Sequence, residues 1–216
     1  MSACPPPRQL LLLALVPLLS GCLSLGGREE GAPIHTYDLC VGPAEPPPVE
    51  LVADDAPSLQ VEPFTADPLL QGEGLVWRRG QVEVGAYRSF RWARAPQDAL
   101  RDALAGALGQ ETAAVRVATE PPLPDPTWRL RGHLARCEEL DRGDRWVGVL
   151  ELHLSLTGAQ DMQELWRRTY RVEEPAHPRN PPGVALALHR ACERITAAAA
   201  ADVRALLAAQ EESKGP

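Results

Sequence analysis

Between Trp128 and Val172 apolar and polar residues alternate through three consecutive segments. A period of two over such lengths commits this part of the chain to long strands with one buried face. Trp128, Leu130 and Leu134 share a face in the first segment, and Trp146, Leu150, Leu152, Leu154 and Leu156 in the second. Trp166, Tyr170 and Val172 share one in the third. Arg129, Arg131, Glu151, His153, Arg167 and Thr169 stand opposite. Turns are expected at 141–144 and 158–161, which makes the three strands an antiparallel meander. A sheet with one apolar face needs a cover.

Two helical periods supply it. Residues 96–108 carry Pro96 in the first turn, Asp98 near the positive end, Leu100, Leu104 and Leu108 on one stripe, and Gly109 as a stop. Residues 183–209 repeat the pattern with Val184, Leu188, Ala191, Ile195, Ala199, Val203 and Leu206. Shorter strands are expected at 35–41, 58–62 and 114–118, with a hairpin of 74–79 and 81–85 joined across Gly80. The 22 prolines concentrate in the leader, at 42–48 and at 121–126, and mark loops. The chain length suits one domain. The expected architecture is α+β and two-layered: a mainly antiparallel sheet of about five or six strands with two helices packed on one face.

The amino terminus is a different kind of segment. Arg8 precedes an almost purely apolar run from 10 to 19, about half of the roughly 20 residues needed to span a bilayer. Leu19-Ser20-Gly21-Cys22 follows and resembles the bacterial lipobox, in which Leu19, Ser20 and Gly21 are read by the signal peptidase and Cys22 is lipidated. The expected organisation is a lipoprotein signal peptide over 1–21, a lipidated amino terminus and flexible tether over 22–35, and one domain over 36–209. That domain carries a proline-rich insertion at about 42–57, and 210–216 form a disordered tail.

Charge and cysteines narrow the function. With 29 acidic and 22 basic residues the formal charge is -7, without the basic footprint of a nucleic-acid binder. Cys40, Cys137 and Cys192 remain in an oxidising compartment, where three cysteines allow at most one internal bridge. No C-x-x-C pair occurs, and the expectation is three buried, unbridged thiols.

No nucleophile elbow, phosphate-cradling glycine loop or H-E-x-x-H occurs, so neither catalytic residues nor a metal or other cofactor are expected. If the 141–144 turn centres on Gly143, facing residues sum to 286 and His133 meets His153. Two ligands are too few for structural zinc, and two solvated strand histidines are expected. Arg142-Gly143-Asp144 is read as a turn. The densest unusual segment sets Arg78, Arg79, Arg88, Arg91 and Arg94 among Trp77, Tyr87, Phe90 and Trp92. It suits a grip on an acidic partner surface or lipid headgroups, with Trp77, Arg78, Arg79, Arg88 and Arg91 as contacts. It equally suits strand residues that anchor the first helix beside a solvated edge.

The lipobox, Thr36-Tyr37-Asp38-Leu39, Leu59-Gln60-Val61-Glu62-Pro63-Phe64, Leu75-Val76-Trp77-Arg78-Arg79 and Phe90-Arg91-Trp92-Ala93 follow one another in an order and spacing that resembles the ABC-type transport auxiliary lipoprotein family. The PqiC-like lipoproteins are one branch of it. The likeness runs from about Tyr37 to Leu207, and the insertion after residue 42 departs from it. The resemblance implies a non-enzymatic accessory subunit of an MCE-type ABC transporter, together with its permease and ATPase. Such a subunit is lipid-anchored, faces the periplasm from the outer membrane, docks on the MCE-domain protein and supports intermembrane lipid transport. Homo-oligomerisation is compatible with it. The alternative is an outer-membrane lipoprotein cofactor for envelope or cell-wall assembly.

Overall fold

The computed structural model describes residues 33–40, 56–111 and 115–212. Leu19, Ser20, Gly21 and Cys22, the tether up to residue 32 and most of the proline-rich insertion lie outside the described residues. In chain order the elements are β1 (His35–Tyr37), β2 (Ser58–Val61), β3 (Thr65–Ala66), a 3-10 turn (Pro68–Leu70), β4 (Gly74–Arg79), β5 (Glu83–Trp92), α1 (Pro96–Glu111), β6 (Arg116–Ala118), β7 (Trp128–Asp141), β8 (Trp146–Gly158), β9 (Glu164–Pro175) and α2 (Pro181–Glu212).

The meander forms as its alternation requires: β7 pairs antiparallel with β8, and β8 with β9. His133 faces His153, but the sum rule shifts along the ladder, because Leu134 pairs with Leu152 while Arg136 pairs with Glu151. Ala135 is an extra residue in β7, a bulge that exchanges the two faces of the strand. Before it the even residues Trp128, Leu130 and Leu134 enter the core; beyond it Cys137 and Glu139 do. The turn to β8 is closed by Gly143 at φ 84°, a left-handed conformation that favours glycine.

The sheet has nine strands, more than the five or six expected, and it is mixed. β2, β3 and β4 lie end to end along the other edge of β7, each parallel to it. β6 adds in parallel to β2, β5 adds antiparallel to β4, and β1 adds in parallel to β5. The long pairings are antiparallel and the parallel ones are short, so the α+β class holds. The two-residue β3 has no periodicity to betray it, and one broken edge counts as three strands.

Both helices pack on one face and share a single core with the sheet. Ala99, Leu100, Leu104 and Leu108 of α1 are buried, and full burial of each leucine contributes roughly 1.5–3 kcal/mol. α2 buries Val184, Leu188, Ala191, Ile195, Ala199, Val203 and Leu207. It starts two residues before the period does, because the Asn180 side chain accepts the Gly183 N–H at 2.9 Å and Pro181 occupies the first turn. It ends at Glu212, past the expected limit of 209. No helix among the described residues is long and apolar enough to cross a membrane.

The cysteine expectation is overturned. Cys40 and Cys192 form a disulfide, with Cα atoms 6.2 Å apart, that fastens the chain just beyond β1 to the middle of α2. Cys137 alone of the described cysteines is a thiol; it is buried, and desolvation pushes its pKa up. The bridge spans 152 residues, so sequence spacing carries no trace of it.

Candidate functional site

The arginine and aromatic segment folds as the β4–β5 hairpin, whose β4 lies along the carboxyl-terminal end of β7. Successive residues of β4 point to opposite faces, so Arg78 and Arg79 separate. Arg78 reaches across the helix-free face to Glu138: Nε donates to Oε1 at 2.9 Å and Nη2 to Oε2 at 3.1 Å. Arg136 approaches the same carboxylate at 2.7 Å. Glu138 is buried, and its charge is held between two guanidinium groups.

Trp77 and Arg79 occupy the other face. The Trp77 indole lies against the backbone of Gly85, where an added Cβ would stand 2.6 Å from the ring, so only glycine permits the contact. The Arg79 guanidinium sits 4.7 Å from the Trp77 ring centroid, in cation–π range. Beside them the Tyr87 hydroxyl donates to Oε2 of Glu139 at 2.8 Å. Glu139 is fully buried, and its Oε1 has no hydrogen-bond partner among the described residues. Desolvation raises the Glu139 pKa, opposed by the Tyr87 hydrogen bond and the Arg79 charge, with the Asp141 carboxylate adding to the rise. Burial and the Glu139 carboxylate likewise push the Tyr87 pKa up.

The other residues of the segment divide between core and surface. Trp92 is in the core, and Phe90 stacks between His35 and the edge of Tyr87 at centroid distances of 5.1 and 5.7 Å. Arg91 comes no nearer than 4.0 Å to Glu73, and Arg94 pairs with Asp102 of α1. Arg88 is exposed and makes no ion pair with any described residue. Val82, at the hairpin tip, is 90% exposed; Val84 is 40% exposed and pairs with Arg78, on the face opposite Trp77. β1 covers only residues 90–92 of β5, so the edge nearer the tip has no strand beside it.

Sequence reasoning located the segment but not the two buried carboxylates. Their signal was the doublet Glu138-Glu139, complementary to Arg78-Arg79 on a neighbouring strand; it becomes legible only once the parallel register is known. His133 and His153 face each other with ring centroids 5.9 Å apart. His133 bonds to Thr65 and Asp67, and His153 to Glu151. Among the described residues no group of three or more His, Cys, Asp or Glu is placed to hold a metal ion.

The model of the ABC-type transport auxiliary lipoprotein component family matches residues 37–200, nearly the whole strand-and-helix unit. Among solved structures, the crystal structure of protein XCC0632 from Xanthomonas campestris superposes with a TM-score of 0.65 at 21% identity, covering 84% of this chain and 99% of that one. The crystal structure of a second, uncharacterized protein superposes with a TM-score of 0.63 at 17% identity, covering 80% and 99%. These likenesses show a shared fold. No curated protein matches the chain.

Proposed function

Since the chain belongs to the family of ABC-type transport auxiliary lipoprotein components, we propose that it is the lipid-anchored periplasmic accessory subunit of an MCE-type ABC system, docking on the MCE subunit to support intermembrane lipid transport. The family match over residues 37–200 carries this reading. Leu19, Ser20 and Gly21 direct processing, and lipid on Cys22 anchors the protein to the outer membrane. A single acyl chain binds only reversibly, whereas two or three hold firmly.

Docking falls to the β4–β5 hairpin. Trp77, Arg79 and Tyr87 are the residue types that dominate binding energy at interfaces, and the tip adds exposed Val82. Arg88 and Arg91 flank them with weakly committed positive charge. Arg78 contributes indirectly, by pinning β4 to β7. The complementary surface is apolar with an acidic rim. This arrangement requires no chemistry of its own, in keeping with a family of transport auxiliaries.

The test is affinity purification of the full chain from solubilised membranes, before and after Trp77→Ala with Arg79→Ala. Recovery of an MCE-domain protein that is lost in the double variant supports the assignment. Recovery of cell-wall enzymes alone would overturn it in favour of an envelope-assembly role. Cys22→Ala should release the protein from the membrane or block its processing; full membrane retention after signal cleavage contradicts the anchor.

A further inference from the structure

The helix-free face of the meander carries a second cluster, remote in function from the hairpin. Strand register sets Arg131, Ser155 and Arg167 in one row across β7, β8 and β9. Neighbouring strands lie about 4.8 Å apart, so the two arginine Cα atoms stand roughly 10 Å apart with the short serine between them. The next row is His133, His153 and Thr169. Long side chains around a short one leave an open groove of about 420 Å³, lined by Arg131, Arg167, His133, His153, Ser155 and Glu62.

The donors of this groove are incompletely used. Arg131 spends its Nε on Glu62 at 2.7 Å, and Arg167 one terminal nitrogen on Glu164 at 2.6 Å. The Ser155 hydroxyl makes no hydrogen bond to a described residue, and among the described residues the His153 ring bonds through Nε2 alone, to Glu151 at 3.1 Å. Glu62 also binds Arg129 at 3.3 Å, and Glu151 also binds Arg171 at 2.7 Å, so the nearest carboxylates are already shared between cations. Arg131 and Arg167 each keep terminal N–H groups that no described carboxylate takes up beside the serine row. The groove therefore holds unspent N–H and O–H donors from all three strands of the row.

We infer that this groove binds the phosphate group of a monoester or diester, bridged between Arg131 and Arg167 above the Ser155 hydroxyl. The non-bridging oxygens of a phosphate, each with several lone pairs and set on a tetrahedral centre, can accept from both guanidinium groups and from the hydroxyl together. The same chemistry is presented by a phospholipid headgroup and by free phosphate. This inference does not rest on the docking role of the hairpin.

The experiment is titration of the full-length protein, in a non-ionic detergent, with inorganic phosphate and separately with dihexanoylphosphatidylglycerol, followed by the imidazole NMR signals of His133 and His153. Saturable shifts are expected, with affinity reduced about tenfold for Arg131→Gln or Arg167→Gln, as for a lost charged hydrogen bond. Ser155→Asp, which sets a carboxylate in the row, should abolish the shifts, and it stands in for the arginine variants if their melting temperature falls. Binding of the lipid alone assigns the site to headgroups, and binding of inorganic phosphate alone to the free anion. No saturable shift with either probe, or undiminished affinity in these variants, overturns the inference.

Discussion

Arg78 grips Glu138 through two parallel hydrogen bonds, at 2.9 and 3.1 Å, across strands 60 residues apart in sequence. The carboxylate is buried while the guanidinium is partly exposed, so the two partners of one ion pair stand in different surroundings. Glu138→Ala leaves Arg78 and Arg136 facing each other without the anion between them. A loss of about 2–3 kcal/mol is expected, below the 3–5 kcal/mol of a fully buried pair because water screens the arginines. Arg78→Ala should cost less, since Arg136 stays on the carboxylate. Urea denaturation of both variants measures the order, and equal losses would contradict it.

Glu139 gives stability a pH dependence of opposite sign to that of an ordinary surface carboxylate. Its pKa in the folded protein lies above the reference 4.5, so its contribution is fully present below that value and is lost as pH rises through the raised pKa. Glu62, Glu151 and Glu173 are held below the reference value, and their contributions are lost as pH falls through their lowered pKa values. Glu139→Gln should therefore gain melting temperature relative to the wild type as pH rises from about 4 to 7, and the gain should vanish at the acid end. A difference independent of pH would show that Glu139 is not protonated on folding.

Gly85 is the floor on which Trp77 lies. Gly85→Ala places a methyl group 2.6 Å from the indole, and the ring must swing away. The expected cost is about 1–3 kcal/mol, with a red shift of tryptophan emission and weaker recovery of the partner. An unchanged emission spectrum would mean that the ring was never seated there.

Val82 offers the complementary case. It is exposed and supports no packing, so Val82→Asp should change stability by no more than about 0.5 kcal/mol. Partner recovery should nevertheless fall clearly, because the substitution puts an anion against an acidic rim. Loss of recovery together with loss of stability would point to misfolding.

The Cys40–Cys192 bridge closes a loop of 152 residues. Chain entropy sets an upper bound of about 5 kcal/mol on its contribution. Paired substitution of both cysteines by alanine should cost about 2–5 kcal/mol, and the processed lipoprotein should show one reactive thiol under denaturant, from Cys137. Three reactive thiols without reductant would contradict the bridge.

What the sequence disclosed was the part governed by short-range periodicity. The meander, α1 and α2 follow from side-chain alternation and from the Leu100–Leu104–Leu108 and Val184–Leu188 stripes, and the structure bears them out. The His133–His153 pairing was legible too, although the turn centre was half a residue off and the Ala135 bulge compensated. What escaped depends on partners far along the chain: the parallel edge of β2, β3 and β4, the bridge, and the burial of Glu138 and Glu139. A buried carboxylate has no sequence signature of its own; it is tolerated because Arg78 or Tyr87 arrives from another strand.

The broken edge along β7 also fixes the order in which this molecule can be assembled. β2, β3 and β4 are each templated on a strand that lies 50 residues or more further along the chain. A chain delivered amino terminus first therefore exposes residues 58–79 with the β4–β5 hairpin and the three-residue β6 alone to pair with, until β7 has emerged. Contacts of such long sequence separation form slowly, because loop closure precedes the reward. A protein built this way stays threadable for as long as β7 is withheld.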